Sequence, residues 1–117
     1  MIYFISGHRN LPYEDFEKYY TPIIDKAIRE DDEAKFVIGD CCGVDKFAMD
    51  YIFNKDICHI TIYHMFNKPR NIPEANTRVI LDLVDFRGGF KSDEERDSAM
   101  TRDSDFDIAF VKDCRWN

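Results

Sequence analysis

Two short glycine-containing segments hold several of the residues that could bind an anion. The first reads Ser6-Gly7-His8-Arg9, and the second begins at Gly39 and reads Gly-Asp-Cys-Cys-Gly-Val-Asp. Each follows an apolar run and precedes a helical pattern. Glycine lets backbone N–H groups approach a phosphate, and the N-terminus of the following helix adds partial positive charge. The pattern predicts two phosphate-binding βα turns, which face one crevice if their strands are neighbours in a parallel sheet.

The candidate ligand-binding residues come from these segments and from a proline-flanked loop. Arg9 could meet a phosphate, and His8 could exchange a proton near neutral pH. Asp40 would repel a phosphate, which favours contact with a ribose hydroxyl instead. The alternatives are that Asp45 only favours the helix start and that the polar loop side chains face water. The binding residues that these patterns predict are Ser6, Gly7, His8, Arg9, Gly39, Asp40, Gly43, Val44, Asp45 and Arg70.

A capping box precedes the last predicted helix. The run from Ser92 to Glu95 reads Ser-Asp-Glu-Glu, and it predicts a helix that continues to about Asp103. Spacing alone assigns Arg96 to a surface ion pair of little energetic value. The same pattern explains Glu95 as a capping residue.

Alternating strand and helix patterns place these segments in one fold. Strands are predicted at residues 2–5, 35–38, 59–65 and 107–111, with a helix restarting at Pro22 behind Thr21 as N-cap. Residues 74–86 have no clean period, and Gly88-Gly89 is expected to end whatever they form. The chain of 117 residues is therefore expected to be a single minimal α/β domain, residues 1–117, with a Rossmann-like, mostly parallel sheet flanked by helices.

The charge balance limits the partners. A formal net charge of -7 argues against binding to a nucleic-acid backbone or an anionic membrane. No signal-peptide or membrane-anchor pattern is evident, so a cytoplasmic location is expected. The four cysteines lack metal-ligand spacing and are expected to be reduced, so neither a metal nor a cofactor is predicted. A zinc site from Cys41, Cys42 and His59 or His64 is the weaker alternative, because no ligand signature links them.

The order of three motifs resembles a known family. Ser6-Gly7-His8-Arg9, the Gly39 segment, and Glu95-Arg96-Asp97-Ser98-Ala99-Met100 followed by Ser-Asp-Phe-Asp-Ile-Ala-Phe-Val are similar to motifs of the SLOG superfamily, nearest its small YspA/YpsA-like proteins. The family includes, more distantly, the protein DprA and the Lonely Guy phosphoribohydrolases. The resemblance implies a fold that binds nucleotides or their derivatives. It also matches Arg96 to an active-site arginine of the Lonely Guy enzymes, which implies that Arg96 is a further ligand-binding residue.

Three functions follow as expectations. The first is a sensor or binding module for a nucleotide-like small molecule. The second is an N-glycosidase acting on nucleoside monophosphates or related nucleotides, with Arg96 and either Asp45 or Glu95 as catalytic residues. The family's Pro-Gly-Gly-x-Gly-Thr-x-x-Glu segment does not occur in these 117 residues, which leaves turnover open. The third is a protein-interaction domain without ligand, and an exposed last strand would favour a homo-oligomer.

Overall fold

The computed structural model describes residues 1–55, 59–73 and 84–109. Within these ranges the chain alternates strands with helices, as the sequence predicts. The strands are β1 (Ile2–Ser6), β2 (Lys35–Gly39), β3 (Ile60–Met65), β4 (Val84–Phe90) and β5 (Phe106–Ala109). The helices are α1 (Tyr13–Tyr19), α2 (Thr21–Glu30), α3 (Val44–Phe53) and α4 (Asp93–Asp103).

All strand pairs in the sheet are parallel, and the strand order is β4-β3-β2-β1-β5. The α/β, Rossmann-like expectation is therefore confirmed. β1 and β2 are direct neighbours, with Ile5 opposite Ile38. The two glycine turns thus leave the sheet side by side at its carboxyl edge, as two turns that face one crevice must.

The two faces of the sheet are covered by different helices. Ile5 packs in a core with residues of α1, α2 and α3, whereas its neighbour Phe4 packs with Ala99 and Met100 of α4 on the other face. This alternation is the period of two that a buried strand requires. In the described structure, α4 is therefore the helix that covers the face of the sheet on which Phe4 lies. Its first turns lie over the carboxyl ends of β1 and β2.

The predicted helix restart is confirmed, but its N-cap is wrong by one residue. α1 ends at Tyr19, Tyr20 links the helices, and Thr21 is the first residue of α2, followed by Pro22. The Thr21 hydroxyl donates to the Glu17 carbonyl at 2.6 Å. Because this hydroxyl donates to a carbonyl of the last turn of α1, it does not accept an N–H of α2 as an N-cap side chain would.

The expected stop at Gly88-Gly89 is wrong, because β4 runs through both glycines to Phe90. A Cβ on Gly88 would overlap the ring of buried His64, so glycine here permits a close approach of strand and side chain. Residues 74–83 of the ambiguous segment lie outside the described residues. The same holds for residues 110–111 of the last predicted strand.

The predicted α4 is confirmed, with the Ser92 hydroxyl accepting the Glu95 N–H at 3.1 Å. Among the described residues, none of the helices has the length and apolar character needed to cross a bilayer.

Candidate functional site

A cleft of about 150 Å³ lies where the turns after β1 and β2 face the first half of α4. It combines residues from all three predicted motifs. Five of the predicted binding residues line it, and Asp93 of α4 joins them. These six lining residues are Ser6, Gly7, Arg9, Asp45, Asp93 and Arg96.

Asp40 is fully buried directly after β2 and binds two arginines. The Arg70 backbone N–H donates to Asp40 Oδ2 at 2.7 Å, and Arg70 Nη2 and Arg96 Nη1 each donate to Oδ1 at 2.9 Å. Burial by itself would raise the pKa of Asp40, but the hydrogen bonds from Arg70 and the charges of Arg70 and Arg96 outweigh it and hold this pKa below its ordinary value. Asp40 thus supports the two arginines from beneath, and its contact with a ribose stays a prediction.

Arg96 is buried, with only 6% of its side chain exposed, so the surface-ion-pair interpretation from spacing is wrong. Its i,i+3 pair with Asp93 exists at 3.3 Å, yet the guanidinium also reaches Asp40, which lies 56 residues earlier in the chain. No spacing rule covers such a separation. The resemblance to the Glu-Arg motif was the signal that singled this arginine out.

Gly39 makes room for this buried arrangement. A Cβ at Gly39 would lie 2.6 Å from Asp45 Oδ2 and 2.9 Å from Arg96 Cζ. Any larger residue would therefore push the carboxylate of Asp45 and the guanidinium of Arg96 out of place. Gly39 acts here by letting side chains approach the end of β2.

Three arginines converge on Asp93, which the sequence pattern connects only with the capping box and, at i,i+3 spacing, with Arg96. Asp93 Oδ1 lies 3.1 Å from Arg70 Nη2 and 3.3 Å from Arg96 Nη1, and Oδ2 lies 3.4 Å from Arg9 Nη2. The Asp93 side chain is 40% exposed, in contrast to the buried Asp40. Arg70 and Arg96 thus lie between the inaccessible carboxylate of Asp40 and the accessible carboxylate of Asp93.

Asp45 lies on the inner wall of the cleft and is 8% exposed. Its Oδ2 accepts the Cys41 N–H at 3.1 Å, which closes the second glycine turn. Burial raises the pKa of Asp45 to about 6, although the Cys41 hydrogen bond and the charge of Arg96 pull in the opposite direction. A carboxyl group that titrates near neutral pH in a cleft is suited to proton transfer.

The two glycine turns pack tightly against each other. Gly43 has φ 74°, and a Cβ there would overlap the backbone of Arg9. A Cβ on Gly7 would meet the Tyr20 hydroxyl and the buried Val44 side chain. The Val44 N–H, first in α3, faces the His8 carbonyl at 3.4 Å. Both glycines and Val44 therefore join the turns, and their contact with a phosphate stays a prediction.

Besides Gly39, Asp40, Gly43 and Val44, three further predicted residues lie outside the cleft lining. Glu95 is exposed on α4, whereas Asp45 is inside the cleft. His8 is half-buried in the first turn, and Arg70 reaches the cleft only through Asp93 and Asp40. Of the two carboxylates proposed for catalysis, Asp45 is thus the one that the fold brings close to Arg96.

A larger concavity of about 580 Å³ lies at the opposite, amino-terminal edge of the sheet, lined by Lys35, His59 and several acidic side chains. Ligands of open parallel sheets bind at the carboxyl edge, where the strand-to-helix turns meet. None of the predicted binding residues lines the larger concavity. The smaller cleft with its buried ion pairs is therefore the better candidate site.

Cys41 and Cys42 are both free thiols at the rim of the cleft, and burial raises the pKa of Cys41. Within residues 1–55, 59–73 and 84–109, no three His, Cys, Asp or Glu side chains are grouped as metal ligands would be.

The chain was compared with protein-family models, with curated proteins and with solved structures, and nothing matched it in any of the three comparisons.

Proposed function

We propose that this protein binds a phosphorylated nucleotide or nucleotide derivative in the cleft between the two glycine turns and α4, as a sensor or binding module of the SLOG type. The observation that carries the proposal is the convergence of Arg9, Arg70 and Arg96 at the carboxyl ends of adjacent parallel strands. Guanidinium groups are well matched to phosphate oxygens because they offer paired, planar N–H donors.

The surrounding charge makes this cluster distinctive. The chain carries a net charge of -7, so its surface in general repels anions. Arg9 is 61% exposed and Arg70 is 38% exposed, whereas Arg96 is held inside by Asp40. The exposed pair can meet a phosphate from solvent, and the buried arginine fixes the position at which it binds.

The size of the cleft indicates which part of the ligand it holds. Its volume of about 150 Å³ is below the roughly 300–1,000 Å³ typical of whole small-molecule pockets. A phosphate and part of a ribose fit this space, and a base would extend past the rim. Recognition would therefore depend on the phosphate end of the ligand.

The first experiment is a thermal-shift screen against nucleoside monophosphates, ADP-ribose, NAD and cyclic nucleotides, with calorimetric titration of each hit. A ligand that binds only the folded state raises the melting temperature by mass action. Arg9→Ala should weaken the affinity for a hit about tenfold, since it removes a charged hydrogen bond worth about 1.5 kcal/mol. Arg29→Ala, which removes an exposed arginine from the end of α2, serves as the matched control and should leave the affinity unchanged. A flat screen would reject the proposal and favour an interaction domain.

One observation favours a second function, that of a nucleotide N-glycosidase. The carboxyl of Asp45 lines the cleft, has a pKa near 6 and approaches Arg96 across Gly39. In such a reaction water adds to ribose C1′ as the bond from C1′ to the base nitrogen breaks. A carboxylate can take the proton from that water, and the departing base nitrogen takes up a proton from solvent. Chromatographic detection of free base from a bound monophosphate tests this function. Asp45→Asn should abolish base release while binding persists, and equal release by the variant would reject the role of Asp45.

A further inference from the structure

Asp93 occupies a position that a phosphate could take. Both of its carboxylate oxygens face guanidinium groups, Oδ1 those of Arg70 and Arg96 and Oδ2 that of Arg9. The contacts of 3.1 to 3.4 Å are ion pairs, and they are longer than the usual distance of about 2.7–2.9 Å in charged hydrogen bonds. A phosphate has three terminal oxygens, so it could meet the same three donors.

The buried part of the cluster does not depend on Asp93. Arg96 keeps its pairs with Asp40 and Asp97, and Arg70 keeps its bidentate contact with Asp40. Asp93 is also the more accessible of the two bridging carboxylates. Its side chain can therefore turn toward water without leaving an uncompensated buried cation.

The backbone at this position also favours an incoming anion. Asp93 is the first residue of the eleven-residue helix α4, directly after the Ser92 N-cap. The partial positive charge of a helix N-terminus stabilises a neighbouring anion, whether this is the aspartate carboxylate or a phosphate. Replacement of one anion by the other would thus keep an anion beside this helix N-terminus.

We infer, on the basis of the proposed function, that Asp93 occupies the phosphate subsite and that binding exchanges the Asp93 carboxylate for the phosphate of the ligand. Asp93 is then an internal competitor. The apparent affinity for any anion is then the intrinsic affinity multiplied by the fraction of molecules in which Asp93 has left the three arginines. The subsite selects groups that carry more negative charge than a carboxylate, of which a terminal phosphomonoester is the ordinary example.

The test is a calorimetric titration of the full chain with inorganic phosphate, with adenosine 5′-monophosphate and with uncharged adenosine. Asp93→Asn keeps the shape of the side chain and removes its charge. We expect it to bind both phosphate probes about tenfold more tightly than the wild type does, with no change for adenosine. Glu94→Gln is the matched control, because it removes the same charge one residue further along α4. None of the ion pairs in the described residues includes Glu94, so this variant should change the affinity less than twofold.

The outcomes separate this inference from the proposed function. Phosphate binding by the wild type with equal or weaker binding by Asp93→Asn overturns the inference and leaves the proposed function standing. Equal gains in Asp93→Asn and Glu94→Gln also overturn it, because they indicate general electrostatics. Binding by Asp93→Asn alone supports the inference in its strongest form. Absence of phosphate binding in all three proteins rejects the inference, and together with a flat thermal-shift screen it rejects the proposed function as well.

Discussion

Arg96 Nη1 donates to Asp40 Oδ1 at 2.9 Å in an ion pair that is almost inaccessible to water. This pair connects the first turns of α4 to the end of β2. The apolar residues that α4 buries are Ala99 and Met100, so its packing against the sheet is modest. The ion pair therefore fixes where the amino-terminal half of α4 lies, and with it the position of Asp93 above the cleft.

Asp40→Asn should destabilise the protein by about 3 kcal/mol, because it leaves two arginines without their shared buried carboxylate. Urea unfolding of the wild type and the variant at pH 7 measures the difference. Asp107→Asn, at an exposed position of β5, is the control and should change the stability by less than about 0.5 kcal/mol. A loss below about 1 kcal/mol for Asp40→Asn would show that the pair contributes little.

The double variant Asp40→Asn/Arg96→Gln should lose less stability than the sum of the two single variants. Each single change leaves the other member of this buried pair in place without it, whereas the double change removes both charges. We expect a coupling energy of about 1–3 kcal/mol from a double-mutant cycle. Simple additivity would mean that Arg70, Asp93 and Asp97 compensate fully for either loss. Because Arg96 variants also change stability, Arg9 and Arg70 are the better positions for testing affinity.

Local patterns were sufficient to predict the strands and helices that position the cleft. Apolar runs ending in glycine predicted β1 and β2, and the capping box at Ser92 predicted α4. Arg96 was singled out by resemblance, since its neighbours along the chain suggested only a surface pair. A pattern read along one helix cannot detect a partner on a distant strand.

The remaining features of the site depend on tertiary contacts between distant segments. Asp40 lies beneath Arg70 and Arg96, which follow it by 30 and 56 residues. Gly43 looked like a glycine that lets an anion approach, whereas in the fold it lets the Arg9 backbone approach. Asp93 was interpreted as part of the capping box and as an i,i+3 neighbour of Arg96, so no sequence signal indicated its contacts with Arg9 and Arg70.

Gly43→Ala should destabilise the protein by about 2–4 kcal/mol, the sum of an unfavourable positive φ and an overlap with the backbone of Arg9. Gly89→Ala is a matched control. Gly89 also has a positive φ, 89°, but a Cβ there would meet nothing within 4 Å. It should therefore show the backbone strain alone, about 1 kcal/mol. Thermal unfolding of both variants gives the comparison, and equal losses would contradict the contact between the two glycine turns.

Asp45→Asn should make the protein more stable at neutral pH. Burial raises the pKa of Asp45 from its ordinary value of 3.8 to about 6, so the folded state binds this proton more tightly than the unfolded state does. The stability that Asp45 contributes is therefore fully present below about pH 4 and is lost as the pH rises through 6. The asparagine has no charge to bury, and its side-chain oxygen can still accept the Cys41 N–H.

The difference in unfolding free energy between Asp45→Asn and the wild type should therefore grow from near zero at pH 4 to about 2–3 kcal/mol in favour of the variant at pH 7.5. Urea unfolding across this range measures it, and subtracting the two proteins at each pH cancels the contributions of the other titrating groups. Asp40 titrates in the opposite sense, since its lowered pKa gives stability that is lost as the pH falls. A difference that does not change with pH would show that Asp45 is charged in the fold at no energetic cost. The expected rise would instead show that the charged carboxylate of Asp45 lowers the stability of the folded protein. Reactive groups in functional sites often have such a cost.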